Sequence, residues 1–74
     1  HPARRAASRH KAAVEIWLAD RFKATGVSEA GCLARQVMLL FEGGMSLTLV
    51  DGDTGYIVSA KHAAERLCAA ALCN

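Results

Sequence analysis

The sequence predicts an all-α fold: a three-helix fragment whose last two helices pair with those of a second copy in an intersubunit four-helix bundle. Three observations carry that expectation. Fifteen of the 74 residues are alanine, against one proline and six glycines, which is helix-former composition. Apolar residues recur at helical spacing through three segments. Two interruptions, Thr25-Gly26-Val27-Ser28 and Asp51-Gly52-Asp53, hold the residue types that stop one helix and start another. The length admits a single domain, residues 1–74, which buries only about 60% of the surface its unfolded chain exposes, so a partner subunit would add stability.

The first helix is expected over about residues 3–25. Pro2 suits a first helical turn, and Ala6, His10, Ala13, Val14 and Trp17 then fall on one stripe, expected to face the core. Arg4, Arg5, Arg9, Lys11, Glu15, Asp20 and Lys23 gather on the other side, with Ile16 and Phe22 off the stripe. Gly26 fits the left-handed C′ position, where Val27 would pack back on Phe22.

Ser28 is the expected N-cap of the second helix, about residues 29–50, with Glu29 in its first turn. This helix has two adjoining apolar faces: Leu33, Val37, Leu40, Gly44 and Leu47 on one, Ala34, Met38, Phe41, Met45 and Leu49 on the other. Arg35, Glu42 and Ser46 form a narrow polar seam, in which Arg35 is the expected partner of Glu42. The pair Gly43-Gly44 costs about 1 kcal/mol per glycine relative to alanine, a cost explained by close approach of another helix or by a kink. Asp53 is the expected N-cap of the third helix, about residues 54–72. Its apolar stripe of Tyr56, Ala60, Ala63, Ala64, Leu67 and Ala71 is mostly small, suited to a near neighbour.

The outer helices each carry one main apolar stripe, whereas the middle helix is apolar nearly all round. A homodimer is therefore expected, its interface formed by Leu40, Gly44, Leu47, Ala60, Ala63, Ala64, Leu67 and Ala71. Cys32, Cys68 and Cys73 make an odd count with no finger spacing, so they read as small apolar helix residues in a reducing, cytoplasmic setting. The chain begins at His1 with no visible signal peptide and reads as an excised piece. The stretch 36–50 falls short of a membrane span, so no membrane partner is expected. Arg4, Arg5, Arg9 and Lys11 stand without interleaved aromatics and read as a solvated face rather than a nucleic-acid surface. No nucleophile-elbow, zincin, phosphate-loop or dinucleotide motif occurs, and His10, His62, Glu65 and Cys68 lack the i, i+4 repeat of a helical metal site. No catalytic residue, metal or cofactor is assigned.

The stretch Leu33-Ala34-Arg35-Gln36-Val37-Met38-Leu39-Leu40-Phe41-Glu42-Gly43-Gly44 resembles the C-terminal region of TetR-type transcriptional regulators. Ser59 to Leu67 is similar to that family's last helix, and Ala24 to Ser28 to the turn before its penultimate one. Glu42 stands where Asp is commoner and Lys61 where Arg is commoner. The resemblance implies the ligand-sensing and dimerisation domain of a repressor, without the N-terminal helix-turn-helix through which DNA would be bound. In that family the last two helices build the intersubunit bundle, and the preceding helix walls an apolar effector pocket. It further implies that Trp17, Met38, Phe41 and Met45 face a small apolar effector.

Overall fold

The computed structural model describes residues 2–72. Three helices, α1 (Pro2–Ala24), α2 (Ala30–Asp51) and α3 (Gly55–Leu72), follow one another without a strand among the described residues. The boundaries lie within one residue of those expected.

The α1–α2 turn is built as the sequence dictates. Gly26 takes a φ of 96°, its N–H donates to the Lys23 carbonyl at 3.1 Å, and the Val27 N–H donates to the Phe22 carbonyl at 3.1 Å. This is the Schellman pattern, and Val27 is buried in a cluster with Phe22 at its edge. Ser28 does not cap α2. The turn hands the chain on so tightly that Glu29 takes the cap position, with φ −114° and ψ 55°, and no side chain caps the helix. Glu29 therefore stands before the first turn rather than in it.

At the other end, Gly52 adopts φ 70° and its N–H donates to the Thr48 carbonyl at 2.7 Å. Thr54, whose carbonyl accepts from the Val58 N–H at 3.3 Å, takes the cap position of α3, one residue later than expected, and the Asp53 carboxylate just before it accepts from the Gly55 N–H at 2.8 Å. The Thr48 hydroxyl donates to the Gly44 carbonyl at 2.8 Å and lies 3.2 Å from the Asp53 carbonyl, tying the end of α2 to the turn.

Burial is concentrated in α2 and its contact with α3. The buried residues are Val27, Ala30, Leu33, Ala34, Val37, Gly44, Ala60 and Ala64. Gly44 explains its own presence: a Cβ there would stand 3.2 Å from the Tyr56 carbonyl oxygen and 3.3 Å from the Ala60 Cβ. Close approach of α3 therefore accounts for Gly44. A Cβ on Gly43 would meet nothing within 4 Å.

The structure corrects the expected orientation of α1. None of its described residues is buried, His10 and Ala13 are exposed, and Trp17 is 61% exposed. The side turned to α2 is Val14, Leu18 and Phe22, all half-buried. The Schellman turn draws Phe22 onto Val27, which fixes the rotation of α1 about its axis, and positions four residues apart then follow Phe22 along one face. The stripe running through Ala6, His10, Ala13 and Trp17 is left uncovered.

α2 contacts both neighbours, while α1 and α3 do not meet among the described residues. The Cα extents are 37 × 31 × 12 Å, so with α1 and α3 each packed on α2 and not on each other the domain is a flattened slab. The radius of gyration is 13.6 Å. A compact domain of this length would have about 11 Å. Solvent-accessible surface is 5630 Å². A compact monomer of the same mass would expose about 4,400 Å². Stable domains pack two layers around a core, and this chain supplies one.

Candidate functional site

The antiparallel hairpin of α2 and α3 leaves an open groove along one side of the slab. Its floor and walls include Leu40, Gly43, Gly44, Leu47, Tyr56, Ala60 and Ala63, and toward the α1–α2 turn it continues past Gln36, Ala63, Arg66 and Leu67. The groove exists because small residues, Gly44 against Ala60, draw the helix backbones together while the larger side chains stand above the contact. Polar groups, Gln36, Ser59 and Arg66, are few among its lining residues.

Leu39 is the crest of this side. It is 67% exposed and borders both the α2–α3 groove and a second groove between α2 and α1, lined by Lys11, Glu15, Arg35, Met38 and Glu42. That second groove is bridged by two ion pairs: Lys11 Nζ to Glu42 Oε2 at 2.9 Å and Arg35 Nε to Glu15 Oε2 at 3.2 Å. Glu42 is therefore paired across helices with Lys11, not along its own helix with Arg35. Arg35 lies two turns from Glu42, about 10 Å along the axis, whereas α1 brings Lys11 alongside. Both pairs are partly exposed and hold α1 in register more than they stabilise it.

The expected interface residues divide into three groups. Gly44, Ala60 and Ala64 are buried inside one chain, where they make the α2–α3 contact. Leu40, Ala63 and Leu67 are half-buried and line the groove, and Leu47 lines it while 44% exposed. Ala71 is half-buried at the turn end beside Val27 and Leu33.

The four residues expected to face an effector are not brought into one enclosed cavity. Met38 is half-buried in the ion-paired groove, whereas Phe41, Met45 and Trp17 are exposed and line none of these grooves. Residues two apart in a helix point about 200° from each other. Phe41 and Met45 thus lie on the side of α2 opposite Leu39 and Gly43. By the same rule Trp17 lies opposite Glu15 on α1. The slab has two dissimilar sides, the grooved one and the one bearing these three large side chains.

Sequence reasoning missed Leu39 and Gly43. Leu39 sits next to the polar seam of Arg35, Glu42 and Ser46 on the helical wheel, outside both apolar faces as drawn, and the seam is where α1 docks. The one available signal was that Gly43 and Gly44 differ by 100° in direction, so one close neighbour cannot account for both.

Among the described residues no three His, Cys, Asp or Glu side chains gather to hold a metal ion. Cys32 is an exposed free thiol and Cys68 a half-buried one; Cys73 lies outside the described residues. By length and composition α2 is long and apolar enough to cross a membrane, more than the stretch 36–50 alone suggests. Arg35 and Glu42 within it are both ion-paired to α1. What this arrangement offers physically is apolar surface of defined shape, a flat all-α module with an uncovered side. Comparison with protein-family models, with curated proteins and with solved structures finds no match for this chain.

Proposed function

We propose that this chain is a homodimerisation module of the kind that TetR-type transcriptional repressors carry at their C-terminal end. The observation that supports this reading is the missing second layer. The slab exposes about 1,200 Å² more than a compact protein of its mass. A standard protein interface takes about 800 Å² from each partner. A second copy laid on the grooved side supplies the absent layer, with α2 and α3 of each copy forming a four-helix bundle around Leu40, Leu47, Ala63 and Leu67. The opposite side, with Trp17, Phe41 and Met45, then walls a site for a small apolar effector that other parts of the regulator complete. DNA is contacted only through a helix-turn-helix domain carried elsewhere in such a regulator.

The test is sedimentation equilibrium across a wide concentration range, on the wild type and on Leu47→Glu and Ala63→Glu. Neither residue is buried within the chain, so both variants should keep their helix content while losing the dimer. A wild type that stays monomeric throughout overturns the reading, as does a dimer unaffected by both substitutions.

A further inference from the structure

The geometry points to Gly43 as the place where α2 crosses α2 of a second copy, the two helices meeting backbone to backbone on the two-fold axis. This rests on the dimer reading above and adds to it the residue on which the pairing turns. Gly44 is accounted for by Tyr56 and Ala60 of its own chain, whereas Gly43 has open space where its Cβ would be. A glycine inside a helix costs about 1 kcal/mol relative to alanine, and no contact within this chain requires one at position 43.

Leu39, Gly43 and Leu47 stand at i, i+4 and i+8, which makes them one ridge along the exposed crest of α2. Leu39 is 67% and Leu47 44% exposed, so the ridge is two knobs with a notch between them. Ridges of this spacing interlock when two helices cross, and a notch at the crossing lets the axes come closer than two leucines would allow. In an isologous pair a residue on the two-fold axis meets its own copy, and a self-meeting position is where an absent side chain gains most. The knobs then enter the partner's α2–α3 groove, about 360 Å³ in volume, whose small residues Gly43, Ala60 and Ala63 leave room for them.

The experiment is disulfide trapping on the full 74-residue chain with Cys32, Cys68 and Cys73 replaced by alanine, joined to sedimentation of the untrapped proteins. Gly43→Cys should cross-link rapidly into a covalent dimer under mild oxidation, because a disulfide forms only where Cβ atoms approach to about 4 Å. Phe41→Cys, on the opposite side of α2, should not. Gly43→Leu should raise the dissociation constant of the dimer about tenfold or more while helix content is kept. A wild type without any dimer defeats the dimer reading and this inference with it. A wild-type dimer in which Phe41→Cys cross-links and Gly43→Cys does not, or which Gly43→Leu leaves equally tight, keeps the dimer and overturns the crossing at Gly43.

Discussion

Gly44 offers a sharp test of the α2–α3 contact because two effects of known size oppose each other there. Replacing a mid-helix glycine by alanine in open surroundings stabilises a helix by about 1 kcal/mol. At Gly44 the added Cβ would stand 3.2 Å from the Tyr56 carbonyl oxygen, 3.3 Å from the Ala60 Cβ and 3.5 Å from the Ile57 Cα. The nearest is a backbone atom of α3, and the next is fixed directly to that backbone, so relief requires the helices to separate rather than a side chain to rotate. Overpacking of a tight contact costs about 1–3 kcal/mol, which cancels or exceeds the propensity gain. Gly44→Ala should thus leave stability unchanged or lower it by up to about 2 kcal/mol, and Gly44→Val, with more bulk and poorer helix propensity, should lower it further. Thermal unfolding followed by circular dichroism at fixed protein concentration reads this out, since 1 kcal/mol shifts Tm by about 4–8 °C in a domain of this size. A Gly44→Ala variant melting several degrees above wild type would refute the close approach of α2 and α3.

Further consequences follow from the same packing. Ala34 is 0% exposed, so Ala34→Leu should cost about 1–3 kcal/mol in urea unfolding. Gly26 has open space around it but a φ of 96°, so Gly26→Ala should be destabilising by about 1 kcal/mol, with Gly26→Asn milder because asparagine tolerates the left-handed region. Glu42→Gln breaks the pair with Lys11, yet the loss should stay below about 1 kcal/mol and shrink in high salt; a larger, salt-insensitive loss would mean that the pair is shielded from water. Trp17, the single tryptophan, should show solvent-like emission and ready acrylamide quenching at every protein concentration, because it is 61% exposed and faces away from the groove.

Much of this architecture was legible because backbone chemistry is local. The glycine at 26, the valine after it and the phenylalanine four residues before specify one turn geometry, and Asp53 lies where its carboxylate meets the Gly55 N–H. The rotation of α1 was harder to read. An alanine-rich helix offers several stripes of similar apolarity, and Trp17 drew the reading toward its own side although Phe22, pinned by the turn, decides which side faces α2. The partner of Glu42 was missed for a related reason: pairing along one helix is visible in spacing, but pairing between helices depends on that rotation. At the groove, the sequence shows α2 apolar on two faces, but Leu39 stands out as a crest because α1 is ion-paired to the polar seam beside it.

The slab has no depth in which to hide bulky groups, and among the described residues no large side chain is fully shielded from water. An isolated copy would consequently change its heat capacity little on melting and lose its structure over a broad temperature span, because so little oily area leaves water when one chain folds by itself. Under the proposed pairing, sharp, cooperative melting would emerge only with assembly, so dilution alone should soften the transition.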